Sequence, residues 1–555
     1  MLKLEWEVKK GLKEHKESAA MKSRLYLLTM TENGIVNYKD EMKYKKGLKI
    51  MLLKEYADKV RACWLGKNIG GSLGAPTECK RGVWDLDYYL ADLSKGALPN
   101  DDLDLQLVWL NAVERYGKAV KSEILGEYWL SYIVANWSEY GAGKNNMAMG
   151  LLPPISGWYH NHNKDSCGCF IRSEIWACLM PGHPELAVKY AFEDAICDHA
   201  DEGVYAEIFC AAVESAAFCE ADRDTLIDIG LSYIPPDCAI SRAVHIAMDC
   251  HKKGLDWKAA RKVVLTEVPG SFGMYAGYQD REDEGLPVGP LGFDAPSNIG
   301  LTMLGWLYGE GDFGRSICIA AGCGEDGDCT AATLGSILGI LSGTAGLPEK
   351  WTAPIGDEIK TISIDLTNVE ISVPKTISEL TDRVVRQMPV FMGKYCDILS
   401  EGGIVLRMSD SLRDGKEQVG VFAYQTFSDR IKRQPLSVTK ENVLYEVTMT
   451  YGEGILIRDG QEMKFTLQFK NKLRKQQWST ARLYAPEDWQ VSPGREWCIC
   501  LDQRHGGCAL TQCAFTLTPG VLEKGRYDLV LEFSSNGRLS RMYFPITLLV
   551  DAQVS

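Results

Sequence analysis

Two periods of apolar residues divide this chain. From Leu53 to about residue 395 they recur at helical spacing in segment after segment, and beyond about 435 they alternate every second residue. The first strong run, Asp58 to Glu78, sets Val60, Cys63, Trp64 and Ile69 at helical spacing and is closed by Pro76. Leu98-Pro99-Asn100 then announces a second helix. Pro99 disfavours helix in the residue before it, Asn100 is a good N-cap, and Leu105, Val108, Trp109 and Ala112 share one face. Further helices are expected over 122–140, 171–180, 185–199, 204–219, 299–308 and 377–388, with two more between 236 and 265. Long irregular stretches at 143–165 and 267–296 interrupt them, and loops of that length commonly form pocket walls or lids.

Past residue 400 the strand-like runs Val443–Met449, Lys464–Phe469 and Tyr527–Phe533 appear, and Ser535-Asn536-Gly537 supplies a hairpin turn before Met542–Val550. The expected organisation is an N-terminal extension (1–50), a helical domain (51–395), linker or edge structure (396–434) and a β-sandwich (435–555). The fold class is therefore mainly α, followed by a β domain.

Composition narrows the function. A chain of 555 residues, 46% hydrophobic and 24% charged, is a multi-domain globular protein with ample core. Its net charge of -13 and lack of a basic run argue against nucleic acid as a partner. The 18 cysteines are scattered without any C-x-x-C pair, which argues against a zinc ribbon and suits a reducing compartment. With no apolar signal region in Met1–Lys22 and no apolar run of spanning length, a cytoplasmic protein without membrane partners is expected. The β domain could bind a carbohydrate or partner, cover the active site, or form a homo-oligomer contact.

Chemistry concentrates at two acidic clusters. Asp326 and Asp328 alternate with Glu325 and Gly327 in a glycine-rich turn, and a small-residue helix follows in which Gly335, Gly339 and Gly343 recur every four residues. Gly66, Gly70 and Gly74 repeat at the same interval, so each helix offers a face that another backbone can approach closely. Upstream, Asn100-Asp101-Asp102-Leu103-Asp104 carries more acid than helix capping requires. Glu78 ends the first glycine helix. His199, at a helix junction, either lines a pocket or is a satisfied core histidine. If the fold joins the two clusters, four carboxylates converge, and their mutual repulsion is relieved by divalent ions. Oxygen donors select Mg²⁺, Mn²⁺ or Ca²⁺ over zinc.

Asn100-Asp101-Asp102 after a glycine helix ending in Glu78, then His199, then Gly324-Glu325-Asp326-Gly327-Asp328 with a small-residue helix closing at Leu347-Pro348-Glu349-Lys350-Trp351, resembles the ADP-ribosylglycohydrolase family over roughly residues 55–390. The resemblance implies an all-α fold that binds one or two Mg²⁺ or Mn²⁺ ions beneath a ribose. It assigns metal contacts to Asp101, Asp102, Asp326 and Asp328, with Asn100 and Thr330 as further oxygen donors. Catalysis falls to Glu78, Asp102 and Asp326, and substrate contacts to Glu78, Asn146, His199, Gly203 and Asn298. Two positions depart from the family pattern: Asn100 replaces a threonine, and Cys329 follows Asp328 where threonine is usual. The implied function is metal-dependent cleavage of an N- or O-glycosidic bond to ribose, in ADP-ribose or an ADP-ribosylated protein. A nucleoside or other small glycoside is the alternative substrate, and a non-catalytic binding or structural protein on the same fold the third reading.

Overall fold

A computed structural model describes residues 50–551, apart from 269–291, 368–369, 399–403, 416, 419–423, 433–434, 474 and 504–508. Five helices position the chemistry: α1 (Leu53–Gly74), α2 (Asp101–Tyr116), α3 (Glu202–Ala217), α4 (Ala295–Tyr308) and α5 (Gly327–Ser342). The pair α1 and α5 forms the centre. A Cβ added to Gly66, Gly70 or Gly74 would lie 2.0, 2.1 or 2.2 Å from the carbonyl oxygens of Gly335, Ala331 and Gly327. Reciprocally, Cβ atoms on Gly335 and Gly339 would lie 2.3 and 2.2 Å from Gly66 O and Ala62 O. The two glycine repeats therefore face each other and let the backbones touch, antiparallel, with no side chain between them. Gly343 serves differently: it caps α5 with φ 67°, a conformation glycine adopts without strain.

This antiparallel contact decides where the site lies. The C-terminal end of α1, at Gly74, meets the first residue of α5, at Gly327, so whatever follows α1 lands beside whatever begins α5. Asn100 caps α2 by accepting a 2.8 Å hydrogen bond from Asp102 N, as its position after Pro99 predicts. Most of the other expected helices are present with shifted ends. Ser138–Ala148 is helical, so Asn146 sits in a last turn rather than in the irregular stretch. α4 begins at Ala295 with Asp294 as its cap, which places Asn298 inside the helix rather than at its start. The expected loop 267–296 falls largely outside the described residues. No described helix is long and apolar enough to cross a membrane.

The segment 396–434, read as linker or edge structure, is partly woven into the helical body. Strand Ile404–Arg407 pairs antiparallel with both Ile50–Leu52 and Cys396–Ile398, and Leu406, Met408, Phe427 and Ile431 join the helical core. Beyond it lie two five-stranded, mostly antiparallel sheets. One runs Ser437–Glu441, Tyr445–Tyr451, Met463–Asn471, Ala509–Thr518, Gln490–Ser492, and the other Leu456–Ile457, Arg541–Val550, Arg526–Ser535, Gln477–Tyr484, Glu496–Leu501. Alternate residues of both sheets, including Phe465, Phe469, Phe533 and Phe544, fill one core. The predicted hairpin turn at Ser535–Gly537 joins two of these strands, with Gly537 at φ 69°. Leu151 and Ile155 of the helical domain are buried in that same core, so the stretch after Ala148 is a docking platform for the β domain. Lys440 of the sandwich adds an ion pair to Glu123.

Candidate functional site

The turn into α5 is built under backbone strain. Gly324 (φ 68°) and Glu325 (φ 60°) both lie in the left-handed region, and for glutamate that conformation persists only when its surroundings hold it. Glu325 is fully buried and is gripped by Arg81, whose Nε and Nη2 donate to its two carboxylate oxygens at 2.6 and 2.8 Å. Arg261 stands 3.9 Å away and donates from Nε to Cys323 O. A two-residue ladder, Lys80–Arg81 with Gly324–Glu325, ties this turn to the chain leaving α1. Thr77 pins that chain from the other side, donating to Gly74 O and Ala321 O, and Cys79 turns it with φ 54°. Glu78, between these fixtures, is thereby brought to the acidic turn.

Two ligand-like groups result, and Asp328 belongs to both. Single donor atoms of Glu78, Asp326 and Asp328 lie within 4.8 Å of one another, and so do those of Asp102, Asp328 and Cys329. Asn100 joins the halves: its amide donates to Asp328 Oδ2 at 3.3 Å while its oxygen caps α2. Asp101 borders the cluster and accepts a 3.0 Å hydrogen bond from Tyr140. Asn298 supports it from α4, accepting from Asp326 N at 3.2 Å while its amide donates to Gly292 O and Asp294 O. Lys67, buried on α1, sits 3.7 Å from Asp102 Oδ2 and 2.8 Å from Glu174.

Removal from water pushes the carboxyls of Glu78, Asp101, Asp102, Asp326 and Asp328 above the ordinary carboxylate range. For Asp101, Asp102, Asp326 and Asp328, desolvation is the leading cause, with neighbouring carboxylates adding to it. Glu78 is raised to about 7 by desolvation first and then by Asp326 and Asp101. It stands exposed at the solvent edge, where screening softens the shift. Asp102 Oδ2 and Asp328 Oδ1 are buried without a hydrogen-bond partner. Lys67 answers part of the charge on Asp102, whereas Asp328 Oδ1 has no such partner, and the clustered oxygens of Glu78, Asp326 and Asp328 fit a divalent metal.

Other sequence candidates lie in supporting positions. Asp104 is committed elsewhere, accepting from the backbone of Ile362 and Ser363 and from the Ser363 hydroxyl. The Thr330 hydroxyl donates to Gly327 O within its own helix, so Cys329, rather than Thr330, faces Asp102, its thiol donating to Asp102 Oδ1 at 3.6 Å. His199 is fully buried between Ser166 and Asp198, both 3.0 Å away, and Asp198 is in turn held by Arg172. Gly203 packs on His199, since a Cβ there would meet His199 Cδ2 at 2.7 Å. Asn146 spends its amide on Ser156 O and Tyr159 O, holding the docking platform. One neighbour went unforeseen: Cys167, buried, lies close enough to Cys329 and Asp326 for both to act on its thiol. No spacing rule connects residues 167 and 329, so only the fold could have placed them together. A surface cleft of about 810 Å³, flanked by Trp84, Trp257 and Trp351, contains none of the cluster residues.

The architecture is a helical domain whose acidic turns meet at the end of a glycine-packed helix pair. The family model described as ADP-ribosylglycohydrolase matches residues 53–388, more than half of the chain, and the chain belongs to that family. Among solved structures, an "ADP-ribosylglycohydrolase-related protein complex" is similar at 18% identity and a TM-score of 0.37, covering 61% of this chain and 100% of that one. A search of curated proteins returned no match.

Proposed function

We propose that this protein is a metal-dependent glycohydrolase that cleaves an N- or O-glycosidic bond to ribose, with ADP-ribose or an ADP-ribosylated protein as substrate. One observation carries the reading: three aspartates and a glutamate from three separate segments converge, and a buried oxygen of the shared Asp328 has no hydrogen-bond partner. Mg²⁺ or Mn²⁺ would be held by Glu78, Asp326 and Asp328, an all-oxygen set suited to hard ions. Bound there, such an ion supplies Lewis-acid polarisation of a water or ribose hydroxyl.

The chain's own residues do the rest. Glu78 stands at the solvent edge, where substrate and water reach the ion it helps to hold. Tyr140 orients Asp101, and Asn100 orients Asp328 while fixing the start of α2. Bond cleavage through an oxocarbenium-like state would be favoured by the negative field of these carboxylates. Purified protein should be offered an ADP-ribosylated peptide, free ADP-ribose derivatives and simple nucleosides, with and without Mg²⁺. Release of ADP-ribose that Asp326→Asn abolishes supports the reading, and turnover of nucleosides alone would move the substrate to small glycosides.

A further inference from the structure

We propose that Cys329 is a metal ligand, and that Asp102, Asp328 and Cys329 hold a thiophilic divalent ion of the zinc class beside the all-oxygen group. The inference rests on the site being a metal centre, and deepens that reading. All three side chains are buried, and their donor atoms lie within 4.8 Å of one another. The Cys329 Sγ to Asp102 Oδ1 distance is 3.6 Å. Tetrahedral zinc, with bonds of about 2.0–2.3 Å, sets neighbouring ligands roughly 3–4 Å apart, so this pair is already spaced to share one ion. Asp328 Oδ1, in the same group, is buried without a hydrogen-bond partner, while Asp102 Oδ2 has only Lys67, 3.7 Å away.

Donor chemistry separates the two halves of the site. Glu78, Asp326 and Asp328 offer oxygen alone, whereas the second group substitutes sulfur, which Mg²⁺ accepts poorly and Zn²⁺, Co²⁺ and Fe²⁺ accept well. Binding displaces the thiol proton from Cys329 to solvent, with no change of oxidation state. Asp328 is common to both groups.

Cobalt is the probe, because a thiolate bound to Co²⁺ gives a near-ultraviolet charge-transfer band. The full chain is stripped by chelation and titrated with Co²⁺. We expect one equivalent to raise the band, Zn²⁺ to bleach it, and excess Mg²⁺ to leave it in place. Cys329→Ser should lose the band while keeping Mn²⁺ binding by electron paramagnetic resonance and an unchanged melting temperature. Absence of the band in the unaltered protein, or its persistence in Cys329→Ser, overturns the assignment. Should Mn²⁺ bind and Mg²⁺ support hydrolysis without any cobalt–thiolate band, the zinc-class site falls and the glycohydrolase reading stands. If neither ion binds, both fall.

Discussion

Glu78 carries a pH signature at the solvent edge of the cluster. Its folded-state pKa lies above the ordinary 4.5, at about 7, so the neutral acid is the form that folding favours. In the metal-free protein its contribution to stability is whole below 4.5 and is lost as pH rises through about 7. Metal uptake works in the opposite sense, because the ion needs the carboxylate. Mn²⁺ affinity should therefore climb across that window with release of protons, and Glu78→Gln should flatten the climb. Calorimetric titration at several pH values, in buffers of differing ionisation heat, measures both; a pH-independent affinity would remove Glu78 from the site. At the same scale, Arg81→Ala strands the buried carboxylate of Glu325 in a left-handed backbone. A cost of about 3–5 kcal/mol in denaturant unfolding is expected, with weaker Mn²⁺ binding because Asp326 is the next residue.

Between elements, the glycine seam sets the geometry. A methyl group at Gly70 would lie 2.1 Å from Ala331 O, so α1 and α5 must part before it fits. Gly70→Ala should cost about 1–3 kcal/mol and loosen metal binding, since α5 carries Asp328 while the end of α1 leads to Glu78. Gly525→Ala, where a Cβ meets nothing within 4 Å, is the control and should change stability by less than about 0.5 kcal/mol. This seam was readable from the four-residue glycine period, as were the acidic turns and the Asn100 cap, because each is a local rule of backbone sterics or capping. What could not be read depends on tertiary placement. Cys167 reaches the cluster through the fold alone, and Asn298 acts by holding Asp326 N rather than by opening a helix. The strands at 50–52 and 404–407 are too short for a period to show, and they form because each finds the other.

Across the whole molecule, the β domain is joined to the helical domain by shared core rather than by a tether. Leu151 and Ile155 are buried among sandwich residues, and Lys440 pairs with Glu123. The two domains should therefore melt in one calorimetric transition. Leu151→Ala with Ile155→Ala should cost about 2–5 kcal/mol per residue at the docking face and split that transition in two. A single unshifted transition in the double variant would show that the docking contributes nothing to stability. The central claim is that the acidic cluster works through a divalent ion to cleave a ribosyl bond. Its most direct test is the rate of ADP-ribose release from an ADP-ribosylated peptide by native protein, chelated protein and Asp328→Asn, before and after Mg²⁺ is restored. The account predicts release by the native protein, loss on chelation, recovery with Mg²⁺, and no recovery in Asp328→Asn. Full activity in the chelated protein or in Asp328→Asn would contradict it.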